Sequence, residues 1–334
     1  MKILYVDLKY DYGIKSRGRN IIGEDGFKAS FEKLGHYVDI FYYDDYINDN
    51  KPMQQKLIDF ANTIKPDIIF CVLFTNQFEI ETLDYLKSKY TTIGWFGDDQ
   101  WRFEHFTYKY AQHFTYCITT DKFSISKYIK LGQQNIIYSQ WCAINTHQIA
   151  KFDGYKYDVT FVGRYNPYRK WFVDTLNKRG INVEAFGYGW KNGSLSAEGM
   201  NKVFISSKVN LNISNSLSYD IRYIFRNPMN SLKPIARKFL KKESKNMSQI
   251  KARNFEIPYF GGFQLTDYVP TIENYFDIGK ELICYSNIDE ALLLIKYYLE
   301  NENEREAIKK LGHKKAVENH GFIHRLQYIL EHIK

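Results

Sequence analysis

Arg253 and Glu256 stand three residues apart, a spacing that puts a cation and a carboxylate on one face of a helix. Pro258 and the pair Gly261-Gly262 follow at once. The proline is expected to stop a helix over 249–257 that opens on Ser248 as its cap. It lacks an amide donor and disfavours helix at the residue before it. The two glycines let the chain turn tightly into a short strand, Phe263-Gln264-Leu265-Thr266, in which apolar and polar residues alternate. A carboxylate can accept from two neighbouring hydroxyls, and main-chain amides at Gly261, Gly262, Phe263 and Gln264 can approach a ligand closely. The group therefore suits a ligand bearing both phosphates and hydroxyls. An Arg253–Glu256 pair on a solvated helix face is the other reading, and it would contribute little.

Further candidates stand at the ends of apolar runs. Arg164 follows Gly163 and the run 157–162, where a guanidinium could meet a diphosphate; Asn166, Arg169 and Lys170 lie just beyond. Tyr188-Gly189-Trp190 follows the run 182–186 and offers main-chain contacts and stacking to a flat ring, or ordinary loop packing. Asp267 could bind a hydroxyl or stabilise a turn. Asp98 and Asp99 follow Gly97 after the run 92–96 and could supply a general base or a metal ligand. Arg17 and Arg19 sit in a first loop, and His105, His113, His320 and His324 are weaker candidates.

These residues must be positioned by a repeating architecture. Strands are expected at 2–8, 37–42, 67–73, 92–96, 115–119 and 135–139, with helices at 27–34, 54–64, 80–89 and 122–130 between them. Tyr10 to Gly26 reads as a loop without G-x-G-x-x-G, which gives a nicotinamide dinucleotide little support. A second α/β series begins at 157, with strands at 157–162, 182–186, 208–213, 263–266 and 282–285. Alternation of this kind specifies parallel sheets covered by helices, with ligands beyond the carboxyl ends of the strands.

The order of short motifs resembles the CgeB-like glycosyltransferases, within the group 1 glycosyltransferase superfamily and the GT-B architecture. The motifs are Phe161-Val162-Gly163-Arg164, Phe186-Gly187-Tyr188-Gly189-Trp190, Val209-Asn210-Leu211-Asn212, the stretch from Arg253 to Asp267, and Gly279-Lys280-Glu281-Leu282. The resemblance implies an α/β fold of two Rossmann-like doubly wound domains facing each other across a cleft. Residues 1–150 would form an acceptor-side domain and 151–316 a nucleotide-sugar domain with a basic insertion at 217–247. A last helix, 317–334, would cross back to the first domain. A hexosyltransferase-type activity is implied, moving sugar from a nucleotide-sugar co-substrate to a glycan or lipid-linked acceptor, with no metal or other cofactor.

Glu256 would accept from the ribose hydroxyls, with Arg164, Tyr188, Gly189, Arg253, Gly261, Gly262 and Phe263 around the nucleotide and diphosphate. Asp99 or Asp98 would take the acceptor's proton, and Arg17 and Asp267 would touch sugar or acceptor. Retaining relatives often carry a second glutamate eight residues before Glu256, where this chain has Ser248. That leaves the stereochemical course open.

Composition narrows the classes. A chain of 334 residues, 44% hydrophobic and 25% charged, fits two soluble globular domains. The four cysteines have no C-x-x-C spacing, which points to buried free thiols in a reducing compartment. The first strand meets Asp7 too early for a signal peptide, and no apolar run approaches a membrane span, so a cytoplasmic protein is expected. The formal charge of +8 is concentrated: residues 217–247 hold eight Lys/Arg against two Asp/Glu. A nucleic-acid-binding surface would need that charge spread along a groove. The segment suits an anionic membrane surface at the inner face, or else a solvated insertion. A non-catalytic nucleotide- or sugar-binding module with the same fold is the competing function.

Overall fold

The computed structural model describes residues 1–216, 218–230 and 248–333. Apolar runs such as Ile3-Leu4-Tyr5-Val6 and Ile68-Ile69-Phe70-Cys71 are wholly buried, as strands covered by helices on both faces must be. The chain divides into two compact units, Met1–Thr146 with Phe322–Lys334, and His147–Gly321.

The first unit holds β1 (Lys2–Asp7), β2 (Tyr37–Tyr42), β3 (Ile68–Val72), β4 (Thr91–Phe96), β5 (Tyr116–Thr119) and β6 (Ile136–Tyr138). They form one sheet in the order β2-β1-β3-β4-β5-β6, and every pairing is parallel. One core lies on each face of the sheet. Leu4, Val6, Ile69 and Phe96 point to one side; Ile3, Tyr5, Phe70 and Trp95 point to the other. The helix Phe322–Glu331 belongs to this second core through Phe322, Leu326 and Ile329, spaced so that one face is apolar.

The second unit holds β7 (Tyr157–Val162), β8 (Val183–Phe186), β9 (Ser207–Asn212), β10 (Gln264–Asp267) and β11 (Ile283–Tyr285). They too pair in parallel, in the order β11-β10-β9-β7-β8. In each sheet the second strand adds on one side of the first and the third on the other. The order reverses between β1 and β3 in one sheet and between β7 and β9 in the other. Such reversals leave room for a ligand at the carboxyl ends of the strands. The α/β class and the two doubly wound parallel sheets agree with the sequence.

Several local expectations need correction. Helix begins at Ile22, not Phe27, as widened turns over Ile22–Lys28 that continue into Ala29–Lys33. Asn20 Nδ2 donates to Asp7 Oδ2 at 3.0 Å and Asn20 Oδ1 accepts from Gly23 N at 3.1 Å, which pins that start to the end of β1. Residues 99–113, to which the sequence assigned no element, are largely helical. The helix expected at 249–257 runs instead from Arg253 to Tyr259, and Ser248 does not cap it. Pro258 lies inside it. The carbonyl of Asn254, which the amide missing at Pro258 would have bonded, accepts from Gln264 Nε2 at 3.2 Å.

All four cysteines are free, and Cys71, Cys117 and Cys142 are buried. Among the described residues, no helix is long and apolar enough to cross a membrane.

Candidate functional site

The reversal point of the second sheet is built around Arg169, in the first turns of the helix Pro167–Lys178. Asn166 caps that helix by accepting from Arg169 N at 2.8 Å. The Arg169 side chain donates through Nε to the Ile213 carbonyl at 3.0 Å and through Nη1 to the Arg164 carbonyl at 3.0 Å. It thus ties the loop after β7 to the loop after β9. Burial lowers its pKa, a trend opposed by the Asp267 carboxylate and reinforced by the charge of Arg253. Asp267, at the end of β10, accepts from Ser214 N at 2.8 Å and Asn215 N at 3.1 Å, fixing the same loop. Burial raises the Asp267 pKa against those bonds. Of the two roles weighed for Asp267, the turn-stabilising one matches these contacts, and its carboxylate is already occupied.

The loops after β7 and β8 are fastened together. Tyr165 N donates to the Tyr188 carbonyl at 2.9 Å, and Trp190 Nε1 to the Gly163 carbonyl at 2.9 Å. Gly187 has φ +128°, and a Cβ there would sit 2.3 Å from the Gly163 oxygen, so only glycine permits this approach. The result displays two side chains: Arg164 is exposed, and Tyr188, 67% exposed, lies with its ring centroid 5.5 Å from the Arg164 guanidinium. No described carboxylate pairs with Arg164. Trp190 is instead engaged in packing, edge-on to Phe161 and Tyr165.

Arg253 and Glu256 do meet, at 2.7 Å, and the pair is largely buried, with side chains 21% and 9% exposed. Arg253 also lies against Met200 Sδ at 3.2 Å and over the Phe204 ring at 5.1 Å. Its cation is committed to protein groups, so it serves to hold Glu256. The Glu256 carboxylate bonds Arg253 through Oε2, which leaves Oε1 without a protein donor among the described residues.

The glycine pair does not offer amides to a ligand. Gly261 N donates to the Pro258 carbonyl at 3.0 Å and Gly262 N to the Ile257 carbonyl at 2.8 Å, closing the helix in a left-handed turn with Gly261 at φ +77°. Phe263 is fully buried against Tyr298. The two glycine amides are consumed by helix closure, and the Phe263 side chain is taken up by core packing.

In the first unit the two aspartates after β4 part company. Asp99 is 1% exposed and accepts from Thr107 Oγ1 at 2.6 Å, Thr119 Oγ1 at 2.5 Å and Tyr128 Oη at 2.7 Å. Burial pushes its carboxyl up to about 6, against the three hydroxyl bonds. A carboxylate 1% exposed and holding three hydroxyl donors is closed to an acceptor hydroxyl, so the expectation for Asp99 as base is corrected. Asp98 is half-buried and lines a pocket at the ends of β3 and β4.

The weaker candidates are mostly paired. Arg17 meets Asp11 at 3.0 Å over the Tyr12 ring, Arg19 meets Asp25 at 2.8 Å, and His113 meets Asp84 at 2.6 Å, while His105 is exposed. His320 and His324 do not share a helix. His320 follows the helix Glu302–Asn319 and bonds the Tyr275 carbonyl at 2.8 Å, whereas His324 lies in the next helix. Most of the basic segment, residue 217 and 231–247, lies outside the described residues. Its described part carries a short helix, Ile221–Arg226, in which Arg222 pairs with Asp220 at 2.6 Å and Asp289 at 2.9 Å.

Sequence reasoning missed the aromatic pocket of Trp95 and Trp141. Trp95 lay unremarked in an apolar strand and Trp141 in a stretch without periodicity. Gly97, immediately after the strand, was the available signal of a close approach.

Comparison with known proteins bears on the second unit first. Residues 169–331 match the family described as glycosyl transferase-like. No curated protein matches. Across the whole fold, the chain is similar to Anabaena Alr3699/HepE in a crystal structure with UDP and glucose. The TM-score is 0.61 at 12% identity, with 99% of this chain and 98% of that one covered. It is also similar to sucrose-phosphate synthase from Thermosynechococcus elongatus, at TM-score 0.64 and 7% identity over 99% and 98% of the chains. AviGT4, a glycosyltransferase involved in avilamycin A biosynthesis, aligns at TM-score 0.56 and 10% identity over 99% and 96%. The chain thus carries a glycosyl transferase-like domain in its second half on the GT-B architecture, and by that domain it is a glycosyltransferase.

Proposed function

We propose that the protein moves a sugar from a nucleotide-sugar donor, of the UDP-sugar kind, to a hydroxyl of a glycan or lipid-linked acceptor. The observation that supports this most is the exposed Arg164, presented at the reversal point of the second sheet beside the Tyr188 ring. It also stands at the positive end of the helix Pro167–Lys178. In the transfer, the acceptor oxygen bonds to the anomeric carbon, the bond from that carbon to the phosphate oxygen breaks, and the nucleoside diphosphate leaves with the negative charge. Arg164 faces that charge, Tyr188 flanks it, and Glu256, held by Arg253, accepts from ribose hydroxyls through Oε1. Asp98 takes the acceptor's proton. Charge on the leaving group is answered by Arg164 rather than by a metal ion, so activity is expected to persist in EDTA. The crystal structures of Anabaena Alr3699/HepE with UDP and with UDP-glucose support the choice of donor.

A thermal-shift and calorimetric screen of UDP, GDP, ADP and UDP-glucose tests the reading. One nucleotide family should stabilise the protein, and Arg164→Ala should weaken its binding about 10- to 100-fold, the worth of one charge-assisted phosphate contact. No response to any nucleotide would reject it.

The membrane contact belongs to the same proposal. Tyr219, Ile221, Phe225 and Met229 are 66–82% exposed within the basic segment, a combination suited to anionic lipid. Vesicles containing phosphatidylglycerol should retain the protein, and Phe225→Asp should release it. Equal behaviour towards phosphatidylcholine vesicles would reject lipid docking.

A further inference from the structure

The carboxyl ends of β3 and β4 frame a pocket of about 90 Å³ lined by Trp95, Gly97, Asp98, Arg102, Phe106 and Trp141, among others. Trp95 is only 3% exposed, yet its indole N–H has no acceptor among the described residues. Such an unpaired buried donor is unfavourable by about 1–3 kcal/mol, and native structures seldom leave one without cause. The neighbouring indole does not share the problem, because Trp141 Nε1 donates to the Gly97 carbonyl at 3.2 Å. Gly97 is what allows the arrangement. A Cβ there would lie 2.5 Å from the Trp141 ring and 2.8 Å from Trp95 Nε1. The two indoles meet edge to face, with centroids 5.6 Å apart. Arg102 donates to the Phe74 carbonyl at 2.7 Å while its guanidinium lies 3.8 Å from the Phe106 ring centroid.

We propose that this pocket is the acceptor subsite and that the acceptor group it takes is a neutral pyranose sugar. This rests on the transferase reading above. A ring hydroxyl accepts from Trp95 Nε1, a second hydroxyl donates to the Asp98 carboxylate, and the apolar C–H edge of the ring packs against Trp141. The volume admits the hydroxyl-bearing edge of a sugar ring. A long-chain alcohol would fill the aromatic wall but offer only one oxygen to a pocket bearing a donor and a carboxylate. Aromatic walls with a few convergent polar groups are the usual chemistry of small-molecule recognition.

The test reads the five tryptophan indole N–H signals of the ¹⁵N-labelled full chain by NMR. The Trp95 signal is identified by its loss in Trp95→Phe. If that variant does not fold, it is identified by elimination with the other four Trp→Phe variants. The probes are methyl glucopyranoside, methyl galactopyranoside and methyl mannopyranoside, with glycerol and octanol as controls, all without nucleotide. At least one glycoside should shift the Trp95 signal saturably, and Trp95→Phe should weaken its effect on the Trp141 signal at least fivefold. No glycoside-dependent shift at Trp95, or the same shift with glycerol or octanol, would overturn the proposal. Nucleotide stabilisation is read separately. Its survival without a Trp95 shift would leave the donor reading standing, and its absence alongside a Trp95 shift would remove only that reading.

Discussion

Asp99 holds its place through three hydroxyl donors, and burial raises its pKa from the ordinary 3.8 to about 6. The folded state therefore favours the protonated acid more than the unfolded chain does. That contribution to stability is present at low pH and is lost as pH rises from about 4 through 6. Asp7, raised by burial to about 7, acts with the same sign. Asp99→Asn removes the titration while keeping the shape. Relative to the natural protein, the variant should gain about 1–1.5 kcal/mol in urea unfolding between pH 5 and pH 8. Parallel pH profiles would contradict the assignment. At this scale the sequence was only partly legible. Residues 98 and 99 are equal as letters, and the turn after β4 alone decides which is sealed and which borders a pocket. The place of Arg164 at the end of a strand could be read because a strand and a glycine precede it, whereas alternation did not reveal that Phe263 is fully buried.

Among elements, the helix Arg253–Tyr259 and its closing glycines carry the clearest mechanical consequence. Gly262 cannot take a side chain easily, since a Cβ would approach Asn210 Nδ2 to 2.7 Å and the Ile257 carbonyl oxygen to 3.1 Å. Gly262→Ala should destabilise the second unit by about 1–3 kcal/mol, read as a lower thermal midpoint. An unchanged midpoint would show that the helix can shift to make room. The strands were readable because parallel sheets demand apolar runs. The bounds of this helix were not, because a side chain ten positions beyond the carbonyl it bonds, in the following strand, does the work. Gln264 donates to the carbonyl that Pro258 leaves unmatched, and a side-chain contact from the next strand is invisible to local propensity.

For the molecule as a whole, both sheets repeat one strand order, and each unit closes its own core. The first is closed by the last helix. Phe322 is 1% exposed, lies 4.9 Å from Phe27 between ring centroids, and fills space beside Gly26, where a Cβ would approach its ring to 2.8 Å. Phe322→Ala should cost about 3–5 kcal/mol, with loss of near-ultraviolet circular dichroism from the Trp95 environment, because Phe27 packs 5.0 Å from that indole. A small change in both would mean that the helix merely rests on the surface. In the sequence this helix was carried back to the first domain only by the family resemblance, since the spacing of 322, 326 and 329 does not say which sheet the helix covers.

That closure has a consequence for how the chain is made. Ribosomes deliver a polypeptide from its amino end, and domains ordinarily fold as they emerge. Here the earliest six strands must wait, with one apolar flank only partly covered, until residues 322–331 have emerged. The nascent amino-terminal half is therefore a natural client for chaperones throughout synthesis.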